Sequence, residues 1–345
     1  MRVLVTGATG FIGYHVARRL RSEGHEVRAL VRRLEKGRCV LGALGCVDQD
    51  LVEGEMEDAA AVERALEGAQ AVIHAAASVS VTTGRTDFSA NLLGTENVMG
   101  QAAARDVYAV FLSSVTAIFD PKNPPTEESP LVRSRTHYGR SKAECDALVR
   151  KLQADGARAS IVYPPGVVGP DDPGMSESVK AYRSFLRGTL RSEGGNQMLD
   201  VRDLAILLVS MVGKAAPGRV IAAGHYFDWD EFTALIEGVT GAEIPRISAP
   251  GWALRLAGRA LDKVAWVTGR PMPMTGEGVE IATRFPRMSD SRQVSELGLV
   301  WRDPRETIRD LYAWFLESGK LPARAVPLLA PGIAEGSRAS QDSGP

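Results

Sequence analysis

The sequence has few of the residues that build disulfide-rich or metal-binding domains. Its 345 residues include only three cysteines and five histidines. Cys39, Cys46 and Cys145 form an odd, widely spaced set, which is a poor disulfide framework, and none has metal-ligand spacing with a histidine. We therefore expect reduced thiols and no metal ion, as is usual in the cytoplasm.

The sequence also lacks an excess of charge and a long apolar run. The formal net charge is −1, so nucleic acid is not expected as a ligand. The longest stretch without a formal charge, residues 68–84, is interrupted by Gln70 and His74 and is no apolar span of the roughly 20 residues that a bilayer requires. Met1 and Arg2 lead directly into a predicted strand, so we expect no signal peptide and a cytoplasmic location.

The first half of the chain alternates short apolar segments with amphipathic ones. Strands are predicted at Val3–Thr6, Val27–Val31, Val47–Val52, Ala71–Ala75, Val107–Leu112 and Ser160–Tyr163. Helices are predicted at Ile12–Ser22, Ala59–Leu66, Asn91–Arg105 and Tyr138–Ala154. This alternation predicts the α/β class, with a doubly wound parallel sheet covered by helices on both faces.

The character of the sequence changes after Tyr163, where proline and glycine crowd residues 164–174. Mostly helical stretches follow, predicted at Ser176–Arg187, Asp203–Lys214, Trp229–Thr240, Trp252–Val267 and Pro304–Ser318. We expect residues 164–327 to form a smaller, mostly helical substrate lobe, with late elements returning to the sheet. Residues 328–345 are rich in Gly, Ser and Pro and are predicted to be a disordered tail.

A glycine-rich loop joins the first predicted strand to the first predicted helix. Its glycines at positions 7, 10 and 13 permit a tight turn and a close approach of the backbone to a ligand. Unpaired amides at the start of a helix can then hold a pyrophosphate. The loop therefore predicts a dinucleotide-binding Rossmann domain in residues 1–163, with cofactor contacts from Gly7, Thr9, Gly10, Phe11, Ile12 and Gly13.

The end of the second predicted strand indicates which dinucleotide binds. An acidic residue there would bond the adenosine ribose of NAD, but this chain has Val31 followed by Arg32 and Arg33. The guanidinium of Arg32 suits a ribose phosphate through charge-assisted hydrogen bonds, so NADP is favoured over NAD. The alternative is that both arginines only lie in solvent at the end of a strand.

A tyrosine and a lysine open the helix that follows a proline-rich loop at residues 120–136. Tyr138 and Lys142 are four residues apart and so share one helix face. A nearby ammonium favours the phenolate of a tyrosine, and the same hydroxyl can donate a proton when a carbonyl is reduced. Ser113 and Ser114 end the fifth predicted strand, at the edge where open α/β sheets bind ligands. A hydroxyl there can hold the substrate oxygen beside Tyr138.

These motifs together resemble the extended short-chain dehydrogenase/reductase family, from the N-terminus to about Phe315. The shared motifs are Thr6–Gly13, His74–Ala77, Asn91–Thr95, Leu112–Ser114, Tyr138–Lys142 and Pro164–Pro170. The resemblance implies that Ser114, Tyr138 and Lys142 form the catalytic triad. It also implies that Asn91 supports the lysine and its water, although a helix N-cap is the alternative for Asn91.

The same resemblance implies further cofactor contacts: Glu55 and Met56 beside the adenine, Ala75 and Ala76 beneath the cofactor, and Pro164 beside the nicotinamide. Val27–Arg32 looks like the dihydroflavonol reductase and carbonyl reductase branch, in which the final arginine meets the NADP phosphate. The later segments Asp290–Arg292 and Glu296–Gly298 look similar to that branch and to 3β-hydroxysteroid dehydrogenases. Dehydratases of the family carry acidic residues just after the strand-end hydroxyl. This chain has Val115-Thr116-Ala117 there, which disfavours a dehydratase.

The sequence therefore predicts an enzyme: an NAD(P)-dependent oxidoreductase that transfers a hydride between a nicotinamide cofactor and a ketone, an aldehyde or a secondary alcohol. A nucleotide-sugar epimerase that uses bound NAD is one alternative, and Arg32 weighs against it. A non-catalytic dinucleotide sensor is another, and the intact triad weighs against that. The resemblance also implies a homodimer through the helices that carry Asn91 and Tyr138, an arrangement that is common in the family but not general.

The expected partner is a small-molecule substrate. Apolar residues of the later stretch suit either a hydrophobic substrate or an ordinary core: Met175, Tyr182, Phe185, Trp252, Leu256, Val264 and Trp266. The helix predicted at Trp252–Val267 is amphipathic and also carries cations, which is typical of a lid or surface helix and compatible with contact to a membrane.

Overall fold

The computed structural model describes residues 1–77, 89–132, 134, 137–215, 217–268 and 276–330, without the side chains of His137, Tyr138, Trp266, Val267 and Glu277. These residues contain twelve strands: β1 Arg2–Thr6, β2 Glu26–Val31, β3 Leu51–Glu53, β4 Ala71–His74, β5 Tyr108–Leu112, β6 Ala159–Tyr163, β7 Gly166–Val168, β8 Thr189–Arg191, β9 Gly195–Asp200, β10 Gly218–Ile221, β11 His225–Asp228 and β12 Arg246–Ser248. They also contain twelve helices: α1 Phe11–Ser22, α2 Leu34–Leu41, α3 Ala59–Leu66, α4 Ser89–Ala104, α5 His137–Ala154, α6 Glu177–Phe185, α7 Val201–Lys214, α8 Trp229–Thr240, α9 Gly251–Thr268, α10 Gly276–Arg284, α11 Arg292–Glu296 and α12 Pro304–Glu317.

Seven parallel strands form the main sheet, in the order β3-β2-β1-β4-β5-β6-β10. The strand order reverses between β1 and β4, which opens a crevice at the carboxyl ends of these two strands. The central strands β4, β5 and β6 are buried along their whole length, because helices cover both faces of the sheet. The predicted doubly wound α/β fold is confirmed.

Alternate residues of β1 serve two separate hydrophobic cores. Val3 and Val5 pack into one core with α1 and α7, whereas Leu4 packs into the other with α3, α4 and α5. Two elements from beyond residue 164 belong to the main sheet and its helical layers: β10 is an edge strand of the sheet, and α7 packs on one of its faces beside α1. The division of the chain at residues 163 and 164 stays a prediction about domains.

The region after β6 is rich in helices, as expected, but it also contains two small sheets that the sequence did not predict. These are the three-stranded sheet β11-β9-β7 and the two-stranded sheet β12-β8. Their strands are three to six residues long and show no sustained alternation of apolar and polar residues. No helix among the described residues is long and apolar enough to span a membrane.

Two predicted boundaries differ from the structure by three residues or more, whereas the other predicted helix and strand ends lie within about two residues of the observed ones. Asp48–Asp50 forms a 3₁₀ turn, so the strand predicted from Val47 begins only at Leu51. At the other end of the chain, Pro327–Leu329 forms a 3₁₀ turn and Ala330 is buried, so the first residues of the predicted tail pack against the core. The rest of that tail, residues 331–345, lies outside the described residues.

Candidate active site

The glycine loop is shaped by contacts that leave no room for a side chain. Gly7 has a φ of +73°, which favours glycine, and a Cβ there would lie 2.8 Å from the backbone nitrogen of Ala76. A Cβ at Gly13 would overlap the carbonyl of Gly7. These contacts bring the loop after β1, the start of α1 and the loop after β4 together at the crevice. Ala75 and Ala76 thus lie against the glycine loop.

The start of α1 offers unpaired backbone donors. Gly10 is the N-cap and provides no side-chain cap, while its own amide donates to the carbonyl of Gly7 at 2.9 Å. Within the described residues, the amides of Phe11, Ile12 and Gly13 have no acceptor. Three free amides at a helix start, with no acidic side chain in the first turn, form a site for an anion.

The loop after β3 is held against α4. The side-chain amide of Asn97 donates to the carbonyls of Met56, at 3.0 Å, and Glu57, at 2.9 Å. The side chain of Met56 covers Gly94, where a Cβ would collide with it. Met56 is therefore partly buried between this loop and α4, whereas Glu55 is exposed.

Arg32 lies in the exposed turn between β2 and α2, beside the carboxyl end of β1. Its guanidinium has no partner among the described residues. Val31 is buried, and the nearest strand-end acid is Glu53 of β3, which accepts a hydrogen bond from the amide of Leu34 at 3.2 Å. Arg32 is thus an uncommitted cation at the edge of the crevice.

His74, at the end of β4, connects three elements beneath the site. Its Nδ1 lies 2.7 Å from Oγ1 of Thr6, and its Nε2 lies 3.2 Å from Oγ1 of Thr95 on α4. The amide of Ala76 donates to the same Thr6 oxygen at 3.3 Å. Burial, together with the charge of Lys142, lowers the pKa of His74 to about 3, so the ring is neutral at physiological pH.

The two serines at the end of β5 have different surroundings. Ser113 is buried and donates to Oδ2 of Asp146 at 2.7 Å. Ser114 is half-buried, and its Oγ accepts hydrogen bonds from the amide and the hydroxyl of Thr116 at 3.2 and 3.0 Å. In the described part of the chain no acceptor takes the hydroxyl proton of Ser114. That proton is therefore available to a ligand.

Lys142 extends from α5 to the same strand end. Its Nζ donates to the carbonyl of Leu112 at 3.0 Å and lies 5.6 Å from the centre of the Phe111 ring. Burial lowers the pKa of Lys142, against the opposing influence of Cys145 and Asp146. The lysine thus reaches the carboxyl end of β5, two residues before Ser114.

Asn91 connects α4 to α5 close to this lysine. Its side-chain amide donates to Oγ of Ser141 at 3.0 Å, and both residues are buried. Because α4 begins at Ser89, Asn91 lies inside the helix, and the alternative that it is an N-cap is wrong. Tyr138 lies in the first turn of α5, four residues before Lys142, and its side chain is outside the described part of the structure.

The strand after β5 completes the surroundings of Ser114. Pro164 follows β6 directly, is buried, and its carbonyl accepts the amide of Val115 at 3.1 Å. This bond fixes the turn that begins at Ser114 against the end of β6. The glycine loop and Ser114 therefore lie at the carboxyl edge of one sheet, where Lys142 of α5 also reaches the end of β5.

A model of the NAD dependent epimerase/dehydratase family matches residues 3–224, which contain every one of these elements. The chain belongs to this family. The match covers more than half of the chain, confirms the resemblance to extended short-chain dehydrogenases and reductases, and confirms that the chain is an enzyme.

Several known proteins are similar to this chain along nearly its whole length. The 4-hydroxy-2-methyl-3-oxo-4-farnesyl-3,4-dihydroquinoline-1-oxide ketoreductase of Stigmatella aurantiaca is 32% identical over 320 residues, which cover 88% of this chain and 92% of that protein. Sterol demethylase protein B of Methylococcus capsulatus is 28% identical over 335 residues, 93% of this chain and 100% of that protein. The crystal structure of gox2253 superimposes with a TM-score of 0.77 at 25% identity, over 93% of this chain and 99% of that one.

Sequence reasoning missed a buried polar network beneath α5. The carboxylate of Asp146 on α5 accepts from Ser113, from Nε of Arg150 at 2.7 Å and from the hydroxyl of Tyr163 at 3.1 Å. Nη2 of Arg150 also donates to the Tyr163 hydroxyl at 3.0 Å. Desolvation raises the pKa of Asp146, against the influence of Ser113 and Arg150. The spacing of Lys142, Asp146 and Arg150 at four-residue intervals was the available signal.

The apolar residues offered as pocket candidates divide into two groups. Met175 is partly buried and packs against the core, in which Tyr182 and Phe185 belong to an aromatic cluster with Trp229 and Phe232. By contrast, Trp252, Leu256 and Val264 of α9 are exposed, and the side chain of Trp266 is outside the described part of the structure. In the described residues, no three His, Cys, Asp or Glu side chains are grouped to hold a metal ion, and all three cysteines are free.

Proposed function

We propose that this enzyme is an NAD(P)-dependent oxidoreductase that interconverts a ketone or an aldehyde with the corresponding alcohol. The observation that carries the proposal is the hydroxyl of Ser114, whose oxygen accepts two hydrogen bonds while its proton has no acceptor among the described residues. Such a hydroxyl is set to donate to the oxygen of a carbonyl substrate. It stands at the strand end that Lys142 also reaches.

The crevice suits a nicotinamide dinucleotide, the cofactor that the family description names. The free amides at the start of α1 fit a pyrophosphate, and the closely packed glycine loop leaves room for it to approach. When bound, the cofactor supplies or takes up the hydride. We assign its contacts to the residues predicted from the sequence: Gly7, Thr9, Gly10, Phe11, Ile12, Gly13, Arg32, Glu55, Met56, Ala75, Ala76, Tyr138, Lys142 and Pro164.

The protein supplies the proton and the orientation. Ser114 holds the substrate oxygen, and Tyr138 donates a proton to that oxygen during reduction and removes it during oxidation. Lys142, one turn later on α5, favours the phenolate of Tyr138 by its charge. Asn91 acts as a positioning residue, because its bond to Ser141 fixes the turn of α5 next to Lys142.

The preferred cofactor in this proposal is NADP. Arg32 is exposed, has no partner among the described residues and follows a buried valine where an NAD enzyme would carry a carboxylate. A cation there suits the 2′-phosphate of NADP and gives nothing extra to NAD. The family description names NAD, so the proposed preference for NADP rests on Arg32 alone.

The proposed substrate is a small molecule with a bulky apolar body. The names of two relatives refer to such molecules, a farnesyl-bearing ketone in one and a sterol in the other. The first of these relatives is named as a ketoreductase. A homodimer through α4 and α5 is part of the same proposal, with Leu93 of α4 exposed at that surface.

A nucleotide-sugar epimerase is the competing function, because the family description includes epimerases. An epimerase would convert a nucleotide sugar with no net consumption of added cofactor, whereas a dinucleotide sensor would bind the cofactor and turn over nothing.

A panel of ketones, aldehydes and alcohols, assayed by nicotinamide absorbance with both cofactors, tests the proposal. We expect net oxidation of NADPH with at least one apolar carbonyl. Conversion of a uridine diphosphate sugar, together with no net cofactor change on any carbonyl, would overturn it in favour of an epimerase.

A further inference from the structure

Exposed hydrophobic side chains are concentrated in one short part of the molecule. Nine large hydrophobic residues are exposed in the described residues, and four of them fall between residues 247 and 264. Ile247 is 59% exposed, Trp252 66%, Leu256 62% and Val264 44%. The first lies on β12 and the other three on α9. Scattered exposed residues are ordinary in a soluble protein, but a cluster of this kind marks a contact surface.

Cations lie on the same face of α9 as the three exposed apolar side chains of that helix. Five exposed residues of α9 are spaced at intervals of three and four and therefore share one side of the helix. They are residues 252, 256, 259, 260 and 263. Arg259 and Lys263 have no hydrogen-bond or ion-pair partner among the described residues. The one acid of α9, Asp262, is turned away, because it accepts the amide of Gly276 at the start of α10.

The opposite side of α9 is anchored to the protein. Gly258 packs closely on α10, where a Cβ would lie 3.0 Å from Gly276, and Ala265 is buried. Nη1 of Arg255 donates to the hydroxyl of Thr283 at 3.0 Å. The helix is therefore held by one face, and the exposed face of Trp252, Leu256, Arg259, Ala260, Lys263 and Val264 is presented as a unit, which we call the α9 face.

We propose that the α9 face docks on an anionic lipid surface. An amphipathic helix with tryptophan and leucine between cations lies in the interface of a bilayer, with its apolar side chains among the acyl chains and its cations at the head groups. Residues 246–268 contain four basic residues and one acidic residue, although the whole chain has a net charge of −1. That local excess complements an anionic surface, whereas a second copy would present the same cations and repel it.

Vesicle sedimentation with the full chain tests this docking. The probes are vesicles of phosphatidylcholine alone and of phosphatidylcholine with one-third phosphatidylglycerol. We expect binding to the anionic vesicles and little to the neutral ones. Arg259→Gln with Lys263→Gln should weaken anionic binding by about thirtyfold, at roughly 1 kcal/mol for each cation. Trp252→Ser with Leu256→Ser should abolish the binding that survives in high salt.

Matched controls alter equally exposed residues elsewhere. Val300→Ser with Leu328→Ser removes exposed apolar side chains, and Arg183→Gln with Arg187→Gln removes two exposed cations four residues apart. Both control variants should bind vesicles as the unchanged protein does.

Three results would overturn the proposal: no binding to anionic vesicles, equal binding by all variants, or a dimer in analytical ultracentrifugation that the Trp252→Ser/Leu256→Ser variant converts to a monomer. The last would show that a second copy covers the α9 face. Binding is measured without substrate or cofactor, so its failure leaves the proposed oxidoreductase function untouched.

Discussion

Ser113 donates a 2.7 Å hydrogen bond to the fully buried carboxylate of Asp146. The hydroxyl proton of its neighbour Ser114 has no acceptor among the described residues. Adjacent residues of an extended chain point to opposite sides, so the strand end directs one serine into the protein and the other towards the crevice. In the function proposed above, the two hydroxyls have separate tasks: Ser113 contributes to stability and Ser114 binds the substrate.

The serine pair gives a matched test. Ser114→Ala should lower turnover by about a hundredfold, as expected when a donor to a developing oxyanion is removed, and should lower the free energy of unfolding by only about 1 kcal/mol for the lost bonds from Thr116. Ser113→Ala should keep most of the turnover and lower the free energy of unfolding by about 1–3 kcal/mol, because the acceptor on Asp146 loses its donor. Kinetics and urea denaturation of both variants check this. An inactive Ser113→Ala with a fully active Ser114→Ala would reverse the assignment.

The buried carboxylate itself carries the next prediction. Asp146 accepts from Ser113, Arg150 and Tyr163, and an asparagine would turn an NH₂ group towards at least one of these donors. Asp146→Asn should lower the free energy of unfolding by about 3–5 kcal/mol, the scale for a broken buried ion pair. Asp155→Asn, at an exposed position just after the same helix, is the control and should change it by less than about 0.5 kcal/mol. Equal effects in urea denaturation would show that the network contributes little.

Two of the helices predicted most accurately have a local start signal. α3 and α8 were predicted to the residue, because Asp58 and Asp228 cap them with side-chain bonds to the following amides. α2 was missed, since it has no side-chain cap and contains Gly37. That glycine is explained only by the tertiary structure: a Cβ there would lie 3.0 Å from Leu51 of β3.

The candidate site likewise has features that are encoded locally in the sequence and features that depend on the tertiary structure. The glycine loop and the spacing of Tyr138 and Lys142 are local, and they could be predicted from the sequence. The different surroundings of Ser113 and Ser114 depend on Asp146, more than thirty residues away along the chain. The exposure of the α9 face likewise depends on how α10 packs, which no periodicity of α9 alone encodes.

His74 should make the folded state sensitive to mild acid. Its pKa is lowered from 6.5 to about 3 by burial, so below pH 6.5 the unfolded chain takes up a proton that the folded chain does not. The contribution of neutral His74 to the free energy of unfolding is therefore fully present above pH 6.5. It is lost as the pH decreases towards 3, and about 2 kcal/mol of it is lost at pH 5.

Urea denaturation between pH 7 and 5 measures this effect. His74→Gln should flatten the pH dependence by about that amount, and His25→Gln, next to the N-terminus, should leave the slope as it is. A slope that His74→Gln does not alter would show that the ring is protonated in the folded state.

Cofactor preference tests the role of Arg32. In the unchanged protein, NADPH should bind about ten- to hundredfold more tightly than NADH, the scale of one charge-assisted bond. Arg32→Ala should remove this preference by weakening NADPH alone, and Arg33→Ala, its exposed neighbour, should retain most of it. Equal losses for both cofactors in titrations would mean that Arg32 packs on the adenine, and a preference for NADH in the unchanged protein would contradict the assignment.

The central claim is that Tyr138 passes a proton to a carbonyl oxygen held by Ser114. The most direct measurement is the rate of NADPH oxidation with the best carbonyl of the panel, for the unchanged protein and for Tyr138→Phe, beside a titration of NADPH binding. We predict that Tyr138→Phe lowers turnover by about a hundredfold or more and leaves the affinity for NADPH nearly unchanged. Full turnover in Tyr138→Phe would contradict the claim.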